Sequence, residues 1–234
     1  MHIPDGLINA YTSVGAGAVA AGGIGVSLRR AAQTLQERQA PLAGLVAAYI
    51  FAVQMLNFPV AAGTSGHLLG GVLAAVLVGP WAAAICVAVV LVVQSLLFAD
   101  GGVTALGLNI TNMAIVGVFG GWVVFQLLRR ALPATRASVV ASSGIAAGIS
   151  VVLAACAFVL EYALGGTGGV SVGTVFAAMG GVHALIGIGE GVITALTVGV
   201  VLGVRPDLVH GAAHLQGPPL VLQGAPGRRR GEVG

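Results

Sequence analysis

Apolar residues in this 234-residue chain come in long unbroken runs rather than in alternation with polar ones. The runs cover about 12–28, 41–58, 66–79, 81–98, 107–128, 137–160 and 183–203. Most reach or approach the ~20 residues with which a helix crosses a bilayer. A transmembrane β-barrel would instead show short alternating segments divided by turn signals. The pattern predicts an all-α, polytopic membrane helix bundle of about seven transmembrane helices. The third run is short, which predicts a tilted or partly re-entrant helix. The glycine-rich stretch 165–181, GGTGGVSVGTVFAAMGG, reads as an external loop with an apolar middle. One transmembrane domain, 1–204, and a cytoplasmic tail, 205–234, disordered from about residue 216, complete the predicted layout.

Only 7% of the residues are charged, against roughly 25% in a soluble domain, and mean hydropathy is +1.02. With 38 glycines, the helices are expected to approach one another closely. There is no lysine, and the arginines fall into three clusters: Arg29, Arg30 and Arg38; Arg129, Arg130 and Arg136; Arg205 with Arg228, Arg229 and Arg230. Seven crossings bring all three to one side, which the positive-inside rule assigns to the cytoplasm. The predicted topology is therefore N-terminus outside and C-terminus cytoplasmic, in the cell membrane. That bias accounts for the net charge of +3, so a nucleic-acid partner is not expected. The first basic residue, Arg29, follows the first apolar run, so no cleavable signal is expected either. Cys86 and Cys156 lie in apolar runs and read as buried small hydrophobes rather than a disulfide.

The chain starts MHIPDG. A free amine on Met1, the backbone nitrogen of His2 and its imidazole form two fused chelate rings on one cation. That flat arrangement suits Ni(II) or Cu(II), which accept a deprotonated amide in a tetragonal or square-planar field, better than tetrahedral zinc. Histidine is bulky, so aminopeptidase trimming should leave Met1 in place, and Pro4 with Asp5-Gly6 stiffens and turns the exit. The alternative is a solvent-exposed, idle histidine.

A fourth ligand is offered by His67 in FPVAAGTSGHLLGG, where Pro59, Gly63 and Gly66 break the helical pattern beside a span. Irregular backbone at that depth is tolerated where it is buried in protein or lines a cavity. The competing reading of His67 is an interfacial histidine bonded to a carbonyl. Asp100, Thr104, Asn109 and Asn112 lie in FADGGVTALGLNITNM on the same predicted face, and Asp5 and Ser65 flank the two histidines. His183 and Glu190, seven apart, share a helical face. Asp5, Ser65, Asp100, Asn109, His183 and Glu190 are candidates for orienting the ligands; for Asp100 and His183 a structural cap or tie is the alternative. Gln54, Asn57 and Gln94 read as interhelical hydrogen-bond partners, and His210 with His214 as a solvated juxtamembrane pair.

MHIPDG, QMLNFPVAAGTSGHLLGG, LVGPWAA, LLFADGGVTALGLNITNMAIVG and HALIGIGEGVITA together resemble the CbiM/NikM family, from residue 1 to about 203. These are the substrate-binding S components of energy-coupling-factor ABC transporters for cobalt and nickel. The resemblance implies a six-helix core plus an additional N-terminal helix. It also implies a metal site made of the Met1 amine, the amide and imidazole of His2, and His67. Cobalt members resemble MHIMEG at the start, whereas this chain has Pro4 and Asp5, which points to nickel or a dual range. Ni2+ or Co2+ is then transported substrate, with no permanent cofactor.

No Walker A pattern occurs, and the lack of lysine excludes one, so the chain is not expected to be an enzyme on its own. Its expected partners are a transmembrane coupling protein, cytoplasmic ATPase subunits, a small accessory membrane subunit and the lipid bilayer. The rival reading is a stand-alone proton-coupled secondary transporter of divalent metals. It would want a relay of intramembrane carboxylates, and only Glu161 and Glu190 lie in or near span interiors.

Overall fold

The computed structural model describes residues 1–35, 39–60 and 64–215. Its helices in chain order are α1 (Ala10–Thr34), α2 (Ala40–Gln54), α3 (Gly71–Val78), α4 (Pro80–Leu97), α5 (Leu106–Ile110), α6 (Gly121–Ala131), α7 (Arg136–Gly165) and α8 (Val172–Val204). A π-helical stretch, Thr111–Gly120, joins α5 to α6 in a 26-residue rod. Five helical segments are long and apolar enough to cross a membrane: α1, α4, the α5–α6 rod, α7 and α8. The chain is an all-helical, multi-pass membrane protein.

Helix starts follow local chemistry. Asn9, Thr135 and Ser171 each accept a hydrogen bond from the backbone N–H three residues on, at 2.9, 3.1 and 3.2 Å, which satisfies an otherwise orphaned donor. Pro41 and Pro80 stand in the first turns of α2 and α4, where a missing N–H costs nothing.

Each of the seven predicted apolar runs contains a helix, but in two of them it is too short to cross alone. α2 has 15 residues and stops at Gln54 rather than 58. α3 has eight, about 12 Å of helix, and every one is buried. Its neighbours include α2, α4, α6, α7 and α8, so it forms the bundle's centre rather than a lipid-facing span. The expected external loop over 165–181 shrinks to a short connection, because α8 begins at Val172 and runs 33 residues. The Ser171 cap opens this helix, and its glycine-diluted first turns still present Val172 and Phe176 on the surface.

α7 and α8 pack backbone against backbone. A Cβ on Gly148 would meet the Gly187 carbonyl at 2.9 Å, and one on Gly187 would meet the Gly148 carbonyl at 2.7 Å. Only glycine at both positions permits this approach. Beyond α8, residues 206–215 form two 3-10 turns whose Val209 and Ala212 are buried. The first eleven residues after the domain boundary drawn at 204 are thus ordered against the bundle. His210 lies 5.7 Å from the Trp122 ring, a contact that the reading of it as solvated did not include. Cys86 is buried as expected, whereas Cys156 faces outward from α7. The predicted disordered tail from 216, together with Arg38, Gly63 and Arg228–Arg230, lies outside the described residues.

Candidate metal centre

Residues 1–9 precede α1 as an extended strap drawn across one end of the bundle. Ile8 bridges Gly166, Asn9 N–H donates to the Gly165 carbonyl at 2.7 Å, and Thr167 N–H donates to the Leu7 carbonyl at 3.0 Å. Closer to the terminus, Ile3 donates to Asn109 Oδ1 at 2.9 Å and accepts from Gly102 N–H at 2.8 Å. Asp5 accepts from both the backbone and the hydroxyl of Thr104, at 2.8 and 2.5 Å. Met1, His2 and Ile3 are consequently buried, at 2%, 3% and 0% exposure.

A histidine loop meets this strap. Phe58–Pro59 and Ser65–Gly66 pair as a two-residue antiparallel ribbon, and His67 follows directly. The His67 ring stacks on the His2 ring with centroids 4.4 Å apart. His67 Nδ1 lies 2.7 Å from the Leu68 carbonyl, which can only accept, so Nδ1 carries the proton and Nε2 keeps its lone pair. That Nε2 is buried without a hydrogen-bond partner among the described residues. An unmet buried acceptor costs about 1–3 kcal/mol.

Both alternatives weighed for His67 therefore describe the same ring, one nitrogen tied to a carbonyl and the other open. His183 behaves alike: Nδ1 donates to the Met179 carbonyl at 2.8 Å and Nε2 has no partner among the described residues. It stands one turn beyond Met179, whose sulfur takes the Thr64 hydroxyl at 3.7 Å. Glu190 grips the loop from α8, accepting from Leu69 N–H at 2.8 Å and Gly70 N–H at 2.7 Å, while Gln54 donates to the Leu69 carbonyl at 2.7 Å.

His2 Nδ1 lies 3.0 Å from Asp100 Oδ1 and 3.4 Å from Ser65 Oγ. Asp100 also accepts from Asn57 Nδ2 at 2.6 Å. It is presented by a tight loop in which Ala99 takes a φ of 52° and Gly101 a φ of 90°; a left-handed alanine beside a site is the kind of strain that surrounding contacts must hold. On the other edge of the ring, His2 Nε2 lies 3.2 Å from the Gln94 side-chain amide. A neutral His2 protonated on Nδ1 has an acceptor at Nε2. Turning the Gln94 amide so that its NH2 faces the ring satisfies that acceptor and the otherwise unpartnered NH2 together. Gln94, read from the sequence as an interhelical partner, thus touches the site. Its signal was a lone amide near the end of the apolar run at 81–98.

Burial holds the Met1 amine well below its ordinary value, with Asp100 opposing only in part. His2 is lowered by burial and, less strongly, by the amine's charge, against the raising effect of Asp100. His67 is lowered by burial first and then by the charges of the amine and His2. At Asp100 burial raises the carboxyl, but His2, Asn57 and the amine together outweigh it and leave it below the usual range. The site thus favours neutral nitrogen bases beside one carboxylate. No group of three or more His, Cys, Asp or Glu side chains able to hold a metal occurs among the described residues. A cation here has to draw on main-chain nitrogen as well as the two stacked imidazoles.

A multi-pass helical membrane protein, with a short buried helix at its centre and a terminal strap that stacks His2 on His67, is the class that this fold defines. Residues 2–208 match the CbiM family, described as the cobalt uptake substrate-specific transmembrane region. The chain belongs to this family of transport proteins, and it is not an enzyme family. A putative fused nickel transport protein NikMN of Archaeoglobus fulgidus is 41% identical over 209 residues, covering 89% of this chain and 68% of that protein. A putative metal transport protein of Haloquadratum walsbyi is 37% identical, covering 89% of this chain and 93% of that one. The crystal structure of a transition metal transporter superposes with a TM-score of 0.81 at 31% identity, over 93% of this chain and all of that one.

Proposed function

We propose that this chain is the substrate-capture membrane subunit of an energy-coupling-factor importer of Ni2+ or Co2+. The Met1 amine, the His2 backbone nitrogen, the His2 imidazole and His67 Nε2 are its four donors. One observation carries this reading: a buried His67 with an open Nε2 lies face to face with a buried His2 at 4.4 Å, and among the described residues no group of three His, Cys, Asp or Glu side chains competes for the ion. Two imidazoles with main-chain nitrogens form a set that nickel accepts in a square plane. Binding then releases the His2 amide proton, and the ion takes the place of the Nδ1 proton now shared with Asp100; the ring keeps that proton on Nε2, where the Gln94 side-chain oxygen, 3.2 Å away, turns to accept it. The reading requires Met1 to be the first residue of the mature chain, which N-terminal sequencing checks.

The remaining candidates act on these donors. Asp100 and Ser65 orient the His2 ring, Asn109 and Asp5 anchor the strap, Glu190 sets the His67 loop, and His183 backs that loop from α8. Described arginines stand at helix ends remote from the strap: Arg29 and Arg30 near the end of α1, and Arg136 at the start of α7, whose other end pairs with Asn9. This supports a strap outside and arginines in the cytoplasm. Energy comes from separate chains, a transmembrane coupling protein and cytoplasmic ATPases. The buried carboxylates support this over a lone proton-coupled carrier. Glu161 is committed to Asn112 at 2.7 Å, and Glu190 to two backbone donors.

The test is a nickel titration of the purified chain with its authentic N-terminus. A yellow, diamagnetic square-planar spectrum with one nickel per chain is expected. It should be lost in His2→Ala, in His67→Ala and on adding a residue before Met1. An octahedral spectrum indifferent to these changes overturns the site.

A further inference from the structure

Two histidines of this protein leave the same atom open. His67 and His183 are each 1% exposed, each ties Nδ1 to a main-chain carbonyl, and each keeps a buried Nε2 lone pair without a partner among the described residues. They stand on elements that run side by side. Met179 of α8 touches Thr64, a Cβ on Gly189 would meet Leu68 Cδ2 at 3.9 Å, and Glu190 holds Leu69 and Gly70. His183 falls between these points, four residues after Met179 and seven before Glu190 on one buried helical face, and so beside the 65–67 stretch. The two rings are near enough for the charge of one to reach the other, and the charge of the buried Met1 amine reaches both.

Neither imidazole satisfies the other, because both open atoms are acceptors. A water molecule satisfies both. It has two O–H donors to give and a lone pair for an N–H of the neutral Met1 amine, in all about the three bonds usual for a buried water.

We propose that His183 holds one water against the ion site, and that this water becomes the fifth, axial ligand of a bound Co2+ while Ni2+ leaves it unbound. The inference rests on the four-nitrogen plane proposed above. When the ion takes His67 Nε2, the water loses that acceptor, keeps its O–H bond to His183 and turns a lone pair toward the ion. Low-spin cobalt(II) in a plane of nitrogens has a half-filled orbital along the axis and accepts one more donor. In nickel(II) that orbital is filled, so the planar ion takes none. His183 is thereby a positioning residue that acts through the water, and it bears on which of the two metals is held more tightly.

Electron paramagnetic resonance of the full-length protein loaded anaerobically with Co2+ reads the proposed ligand directly. In water enriched in oxygen-17 the wild-type signal should broaden, as one bound oxygen requires. His183→Leu should abolish the broadening and lower cobalt affinity about tenfold more than nickel affinity. His183→Gln, which returns an acceptor near the place of Nε2, should restore both. A wild-type signal that does not broaden overturns the water, and this arm needs no variant to fold. Equal broadening in a His183→Leu protein that still takes one cobalt per chain overturns the role of His183. Failure of the underlying site looks different: cobalt binding indifferent to His2→Ala and His67→Ala sinks the nitrogen plane itself.

Discussion

The Glu190 carboxylate, buried within α8, accepts the backbone N–H of Gly70 at 2.7 Å and that of its neighbour Leu69 at 2.8 Å. It thereby caps the start of α3 from another helix and fixes the turn that carries His67. Gln in its place offers one oxygen and one NH2 to two donors, so one buried N–H is left unpaired, at about 1–3 kcal/mol. Glu190→Gln should lower the melting temperature and weaken nickel binding roughly 10–100-fold, the usual effect of losing a group that orients a ligand. Parallel melting and titration curves check this. Wild-type affinity in the variant would remove Glu190 from the account of the site.

Gly101 answers to a different constraint. At φ 90° it has a backbone that L side chains rarely adopt, and a Cβ there would lie 3.1 Å from both His2 Cδ2 and Asn109 Nδ2. Gly101→Ala adds backbone strain of about 1–3 kcal/mol and presses on the docked strap. The Ile3 and Gly102 amides, which bond Asn109 and the Ile3 carbonyl, should exchange their protons measurably faster. Unchanged protection at both would show that the strap absorbs the methyl group.

Much of this arrangement was legible because polar residues are scarce here. In a chain with 7% charged residues, a histidine at position 2, a Thr-Ser-Gly-His loop and an Asp-Gly-Gly turn stand out against the apolar runs. What stayed hidden followed from geometry that hydropathy does not encode. α3 reads like any apolar run, and only its burial on every side shows that it is a core helix. Residues 172–181 look like loop because glycine dilutes their hydropathy, although the Ser171 cap and continuous packing along α7 make them helix. The π-helical stretch Thr111–Gly120 has no residue signature, since a change of hydrogen-bond spacing leaves composition untouched. Gln94 was assigned to helix packing because nothing local announces that a strap 92 residues away brings His2 to it.

The α7–α8 seam gives a prediction about stability alone. A Cβ at Gly148 would press on the backbone oxygen of Gly187, which cannot move without moving its helix. Gly148→Val should push the helices apart and cost about 1–3 kcal/mol, as overpacking does. At Gly180, a Cβ meets nothing within 4 Å, so Gly180→Ala should hold or raise the melting temperature through better helix propensity. Thermal unfolding in detergent separates the two. Equal effects at both positions would mean that the backbone contact is not what sets the seam.

Acid should open the strap, and the direction follows from the shifts at its nitrogens. The Met1 amine, His2 and His67 are all held below their ordinary values, chiefly by burial. Each therefore binds fewer protons when docked than when released. Their contribution to docking is complete above the ordinary values, near pH 8 for an amine and 6.5 for a histidine, and declines as pH falls from there toward the lowered ones. Asp100 has the opposite history: its pKa is depressed, so its contribution persists well below pH 5 and is lost only as pH falls through the lowered value. Between roughly pH 5 and 8 the nitrogen bases govern. Nickel binding adds a proton of its own, because the His2 amide must give one up whatever the state of the other donors. Affinity should then rise about tenfold per pH unit at least, and more steeply at the acid end, where the amine and imidazoles are also deprotonated by the ion. Titrations in weakly coordinating buffers, with the released protons counted in unbuffered solution, measure both quantities. An affinity flat across this range, with no proton released, would exclude the amide as a ligand and leave only the two imidazoles and the amine.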